Sequence, residues 1–196
     1  MMWFQMEKPR VTLITHNKNK IKEFKSVLEP EVEVEVLELE YPELRSDEAE
    51  EIVKLAAKQL AEKTGKRVVV EDSGFHIKAL SGFPGTCTAY VHKRIGNRGF
   101  LKLMEGVKNR EVFYKSAIGL CSPGGTPVVF TGVERGRMSL KERGMNGWGQ
   151  DPIFIPEGKR KTYGETRKPG DVNRFRYMAL AKLKEYLLND TTPDSH

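Results

Sequence analysis

Three consecutive valines, Val68, Val69 and Val70, run directly into Glu71-Asp72-Ser73-Gly74. An unbroken β-branched run of this kind reads as a central strand covered on both faces. It calls for helices on both sides of a sheet, which is the α/β class. The flanking segments agree. Val11-Thr12-Leu13-Ile14-Thr15 reads as another buried strand, and residues 17–28 carry Ile21, Phe24, Val27 and Leu28 at helical spacing. Pro30 closes that helix. Val32, Val34 and Val36 alternate with glutamates, which predicts a half-buried strand. A helix capped by Ser46 or Asp47 is predicted to reach Thr64, with Ile52, Val53, Ala56, Ala57 and Leu60 as its apolar stripe and Gly65 as its stop.

The second half changes character. Residues 111–121 and 126–134 read as two strands around Ser122-Pro123-Gly124-Gly125, a hairpin signal. Ile153-Phe154-Ile155 reads as a short strand closed by Pro156, and residues 171–188 as a terminal helix burying Met178, Ala179, Leu183 and Leu187. One mixed unit over residues 9–189 with a β-rich lobe accounts for this better than two independent domains. Residues 1–8 and 190–196 are expected as flexible ends. A cleft between the lobes is the natural ligand site. With 196 residues, 38% of them hydrophobic, the chain can bury a core without staples. Cys87 and Cys121 lack metal or redox spacing, which argues against a disulfide framework and fits a reduced, cytoplasmic setting. No apolar run reaches membrane-spanning length. The formal net charge of +6 attracts polyanions without saying which.

Chemistry concentrates in a few segments. Glu71 and Asp72 end the valine strand, and Ser73-Gly74 is expected to turn the chain. Carboxylates there are costly unless paired or metal-bound. Magnesium takes one or two carboxylates together with phosphate oxygens and waters; an acidic cap on a turn is the plainer reading. Thr15-His16-Asn17-Lys18-Asn19-Lys20 leads from a strand end into a helix, where free N–H groups, Thr15, Asn17 and Lys20 can meet a phosphate. The same residues also suit a capped helix with a basic face. Glu43 is a third carboxylate for that edge, or an ordinary loop residue. The loop from Leu80 to Thr88 has the glycine and proline of an irregular path suited to phosphate or sugar, or to a structural crossover. Gly147-Trp148-Gly149-Gln150-Asp151 sets a tryptophan among glycines, able to stack on a base or to pack in a turn. Lys168, Arg174 and Arg176 surround the start of the last helix, as phosphate ligands or as surface charge.

Taken in order, these segments resemble the inosine triphosphate pyrophosphatase family, over nearly the whole chain. Thr15, Asn17, Lys20 and Glu23 match its first pattern. Glu71 to Gly74 with Leu80, Gly82, Pro84 and Gly85 match its second, and Gly147 to Phe154 with Glu157-Gly158 its third. The resemblance implies an elongated mixed α/β molecule of two lobes with a central nucleotide cleft, usually dimeric. It implies hydrolysis of non-canonical purine triphosphates (ITP, dITP, XTP) to the monophosphate and pyrophosphate. Lys20 would bind the triphosphate, Glu43 and Asp72 would hold Mg2+, and Asp72 would also orient or activate water. Ser73 would join the substrate contacts, Trp148 would pack on the base, and Gly149, Gln150 and Asp151 would complete that wall.

The chain also departs from the pattern. His16 replaces a glycine and Gln150 an aromatic residue. In the last motif, the helix pattern aligns Arg176 with the family arginine, which puts Phe175 at the histidine, Arg174 at the serine and Gly170 at the lysine. A rival register matches Lys168 to the lysine and Arg174 to the arginine, with Asn173 at the histidine. Either way the histidine that helps read the purine 6-oxo group is absent. Two other readings stand beside the first: a pyrophosphatase with altered base choice, and a nucleotide- or nucleic-acid-binding module with weak or no hydrolysis. The metal carboxylates count against the module, so nucleic acid is the less expected partner.

Overall fold

In the computed structural model, which describes residues 8–42 and 44–190, the valine run lies at the centre of the sheet. Chain order is β1 (Arg10–Ile14), α1 (Lys18–Leu28), β2 (Glu33–Leu37), α2 (Ala49–Thr64) and β3 (Val68–Ile77). There follow β4 (Pro84–Gly85), α3 (Thr88–Leu103), β5 (Glu111–Cys121), β6 (Val128–Met138), β7 (Phe154–Pro156), α4 (Tyr163–Thr166) and α5 (Arg174–Asn189). The strands form one mixed sheet in the order β2-β1-β3-β5-β6-β7, with β4 added to β3. β1 pairs in parallel with β2 and β3, and every later pairing is antiparallel. The expected parallel half and hairpin half are therefore two ends of a single sheet. Glu43 and the outer parts of both expected flexible ends lie outside the described residues.

Apolar side chains fill three regions. Val11, Leu13 and Val69 on one face of the sheet meet Phe24 and Leu28 of α1 and Ala179, Leu180 and Leu183 of α5. On the other face Val68, Val70 and Ala117 meet Val53, Ala57 and Leu60 of α2. Beyond the parallel strands Phe75, Ile77, Phe100, Tyr114 and Phe154 form the third. α2 begins at Ala49, later than the sequence suggests. Glu48 occupies its N-cap without a side-chain bond, while the Ser46 hydroxyl accepts the Glu48 N–H at 3.1 Å and so shapes the approach instead. Gly65 stops the helix in a left-handed conformation, as expected. α3 contains a break at Gly96 (φ 60°, ψ −172°), which splits its apolar pattern. At the far end Arg67 and Asp190 form an ion pair of 2.5 Å that fastens the end of α5 to the start of β3.

Met178, expected on the buried face of α5, is exposed, and Leu180 takes an inward place beside Ala179 instead, because the phase of the helix turns Met178 away from the sheet. A second expectation is corrected. Ser73 and Gly74 do not turn the chain: β3 continues straight through them to Ile77. The reason is β5, which pairs with it residue by residue from Val68↔Cys121 to Ile77↔Val112. A ladder of that length overrides a locally turn-like composition. Gly74 serves the approach of β4, since a Cβ there would lie 2.5 Å from the Gly85 carbonyl oxygen.

A second close approach seats the last helix. A Cβ at Gly132 of β6 would lie 2.0 Å from the Phe175 carbonyl oxygen and 2.8 Å from the Ala179 nitrogen. Gly132→Ala is expected to push α5 off the sheet and destabilise the protein by about 1–3 kcal/mol, the usual cost of overpacking. A lowered thermal midpoint by circular dichroism checks this; an unchanged one refutes it.

Candidate functional site

The site begins where β1 leaves β3. Their pairing ends at Leu13↔Val69, so the edge of β3 from Val70 onward is open to side chains. The loop after β1 is tied down locally: Thr15 Oγ1 accepts from the Asn17 N–H at 3.2 Å. Asn17 Oδ1 caps α1 by accepting from the N–H groups of Asn19 and Lys20. That cap aims the first turn at β3, and Lys20 crosses to it. Its ammonium donates to the Glu71 carbonyl oxygen at 2.9 Å and meets the Glu71 carboxylate at 2.6 Å. Two of the three ammonium donors are thereby used.

Strand alternation sends the two neighbouring carboxylates to opposite faces. Glu71 lies on the face of Val69, toward α1 and α5, and Asp72 on the face of Val70, toward α2. Glu71 is 1% exposed. Burial alone would raise its carboxyl, but Arg176 and Lys20, with hydrogen bonds from Lys20 and Ser116, hold it down at about 2. Arg176 is itself fully buried. Its Nε donates to Glu71 at 3.1 Å, one terminal nitrogen to Glu23 at 2.5 Å and the other to Ser73 Oγ at 3.1 Å. The chain of contacts then continues. Asn173 donates to Glu23 at 2.7 Å and accepts from Arg167 at 2.9 Å. Arg167 pairs with Asp151 at 3.3 Å, and Asp151 accepts from the Trp148 backbone N–H at 2.9 Å. Burial pushes the Asp151 carboxyl up, with Arg167 partly offsetting it.

A cavity of about 1050 Å³ opens along this array. Asn17, Lys20, Asp72 and Ser73 line one part of it, together with Ser46 and Asp47. Trp148, Gly149, Gln150 and Asp151 line another, with Phe175 and Arg176 behind them. The Arg176 guanidinium carbon lies 5.6 Å from the centre of the Trp148 ring. Phe175 stacks on Tyr114 at 4.7 Å with 10° between the rings. Among the described residues no group of three or more His, Cys, Asp or Glu side chains stands ready to hold a metal alone. The side chains of Asp72, Asp47 and Ser73 bring hard oxygen donors to the lining, a kind of ligand suited to magnesium with phosphate and water completing it.

The expected residues thus separate. Asn17, Lys20, Asp72, Ser73, Trp148, Gly149, Gln150, Asp151 and Arg176 share one cavity. Thr15 stands behind Asn17 and is absent from the lining. Lys168 and Arg174 are exposed and outside it, because the start of α5 turns Asn173 and Arg176 inward and Arg174 outward. Glu43 lies outside the described residues. His16 points outward to Glu38 at 3.6 Å rather than crowding the loop. Arg167, Ser116 and Tyr114 were not anticipated, and Glu23 and Asn173 were met only as pattern positions. Their importance comes from burial against charges distant in sequence, for which no local signal exists.

Comparison with known proteins places these features in company. Residues 11–186 match the sequence profile of the Ham1 family. The chain is 50% identical over 157 residues to a dITP/XTP pyrophosphatase of Methanopyrus kandleri, covering 80% of this chain and 84% of that protein. It is 42% identical over 176 residues to the dITP/XTP pyrophosphatase of Methanothermobacter marburgensis, covering 89% and 93%. Among solved structures, the Ham1 protein of Staphylococcus aureus superposes with a TM-score of 0.79 at 25% identity, covering 91% of this chain and 98% of that one.

Removing one member of a buried ion pair strands the others. Glu71→Gln leaves Lys20 and Arg176 without a shared counter-charge and is expected to cost about 3–5 kcal/mol in urea unfolding. Because the folded carboxyl is depressed, its stabilising contribution is full above its ordinary value of 4.5 and lost as pH falls toward about 2. The variant should lack that part of the acid dependence; an identical pH profile in the two proteins refutes the assignment.

Proposed function

The chain belongs to the Ham1 family, and on that footing we propose that it hydrolyses non-canonical purine triphosphates (ITP, dITP and XTP) to the monophosphate and pyrophosphate. The observation that supports this best is one cavity lined by a lysine, a carboxylate and a half-exposed tryptophan, Lys20, Asp72 and Trp148. Such a set answers the three parts of a nucleotide substrate: phosphate charge, metal and attacking water, and base.

In this reading the triphosphate lies along Asn17, Lys20 and Ser73, and the base packs on Trp148. Lys20 reaches a phosphate oxygen with the donor left by its two bonds to Glu71. Asp72, with Glu43, would hold magnesium, and Asp72 orients the attacking water. Bound magnesium supplies charge neutralisation on the phosphates. The water oxygen attacks the α-phosphorus and the bond from that phosphorus to the bridging oxygen breaks. Pyrophosphate leaves with the electron pair, and Asp72 takes up the proton of the water. Lys20 offsets the negative charge developing on the leaving group. Arg176 acts through its neighbours: it is fully buried and holds Glu71, Ser73 and the Trp148 ring in place. Lys168 and Arg174 take no part. A homodimer and a cytoplasmic setting belong to the same proposal, the second supported by the free thiols of Cys87 and Cys121.

Pyrophosphate release from a panel of triphosphates, with and without magnesium, is the test. Inosine and xanthosine triphosphates are expected to be turned over only with the metal. Asp72→Asn is expected to fall by about 100-fold or more with an unchanged circular dichroism spectrum. No release from any triphosphate, joined to salt-sensitive nucleic-acid binding, would favour the binding module instead.

A further inference from the structure

At the Trp148 end of the cavity almost every buried polar side chain among the described residues is already committed. Asp151 is held by Arg167 and the Trp148 N–H. Both ends of the Asn173 amide are taken, by Glu23 and Arg167. The Arg176 guanidinium is divided among Glu23, Glu71 and Ser73. Phe175 is apolar, and Trp148 offers a ring. Gln150 is the exception. It lines the cavity and is only 4% exposed. Its Oε1 accepts from the Tyr114 hydroxyl at 3.3 Å, while its Nε2 makes no hydrogen bond with any of the described residues.

Tyr114 fixes the direction of that amide. Its ring is wedged against Phe175. Burial, reinforced by Asp151, raises the hydroxyl well above the usual tyrosine value, so it keeps the proton that it donates to Gln150. A donor in that place takes Oε1 and leaves the two N–H groups of Nε2 for whatever enters the cavity.

We propose that Gln150, held by Tyr114, is the residue by which this protein selects 6-oxo purines over 6-amino purines. The inference rests on reading the cavity as a nucleoside triphosphate site with the base against Trp148. A 6-oxo group accepts from the Gln150 amide. A 6-amino group meets it donor to donor and leaves buried N–H groups unpaired, a mismatch that discriminates strongly. Inosine, xanthosine and guanosine share the 6-oxo edge, so Gln150 separates all three from adenosine and none from another. Tyr114 is a positioning residue in this arrangement.

The test is calorimetric titration with inosine monophosphate and adenosine monophosphate, run on wild type, Gln150→Leu and Gln150→Glu beside kcat/KM for the two triphosphates. Wild type is expected to prefer the inosine nucleotides. Gln150→Leu should reduce that preference by about tenfold or more. Gln150→Glu keeps the shape of the side chain but only accepts, and should reverse the preference above neutral pH, where the carboxyl is ionised. Tyr114→Phe should lower it mainly through KM, with kcat little changed. Three results overturn the proposal: a wild type without preference, a preference that survives both Gln150 variants, or an equal loss on both nucleotides. The titrations need no turnover. A wild type that binds inosine monophosphate selectively but releases no pyrophosphate refutes the hydrolase reading alone, and the variant titrations still decide the role of Gln150.

Discussion

The structure hangs on a guanidinium placed where water does not reach. Arg176 has no exposed surface, and a charge in that position persists only if opposite charges surround it. Glu71 from the central strand and Glu23 from the first helix do so. Three elements far apart in sequence are thereby required to meet at one point. Buried pairs of this kind add little net stability compared with an apolar filling, because desolvation consumes most of the attraction. Their effect is to penalise every arrangement in which one partner is missing. The apolar contacts of α5 with α1 and β6 supply the driving force, and the ion pairs define the one seating in which that force is realised.

The same array shapes the electrostatics of the cavity. Lys20, Glu71, Arg176, Glu23, Arg167 and Asp151 alternate in sign in and behind the wall, so their charges largely cancel at a distance. A substrate entering the cavity therefore meets no uniform field. On the proposed reading it meets particular donors: the remaining N–H of Lys20 at one end and the Gln150 amide at the other. Hydrogen bonds, rather than bulk charge, carry the selectivity of such a surface. This is also why the modest positive charge of the whole chain says little about its ligand.

The sequence made much of the fold legible, for identifiable reasons. Valine runs and alternation set the parallel strands, Gly65 ended α2 and Ser122-Pro123-Gly124-Gly125 joined β5 to β6. These are local signals, and the structure obeys them. The length of β3 was hidden because Ser73-Gly74 is turn-like by itself and becomes strand only through its partner β5. α3 was hidden by the break at Gly96. In the site, Lys20, Asp72 and Trp148 could be read from their settings next to strand ends and glycines. Arg167 and Asn173 could not, because what distinguishes them from surface residues is burial against partners set by the fold: Glu23, 150 positions away, for Asn173, and Asp151 together with Asn173 itself for Arg167. The inward turn of Arg176 and outward turn of Arg174 follow from the phase of α5, which a two-residue ambiguity in alignment leaves undetermined.

The alternation of Glu71 and Asp72 across the sheet makes the chemistry a matter of parity. One carboxylate serves the interior and the other the cavity, and nothing but their odd and even places on one strand assigns the tasks. Inserting or deleting a single residue upstream in β3 would shift the pairing by one and exchange the two assignments. The carboxylate adapted to a salt-bridged interior would then face the solvent-filled side, and the arginine would lose its partner. Changes of length are consequently far more dangerous in this strand than changes of side chain, whereas the hairpin loop at 122–125, remote from the site, has no comparable restriction on its length.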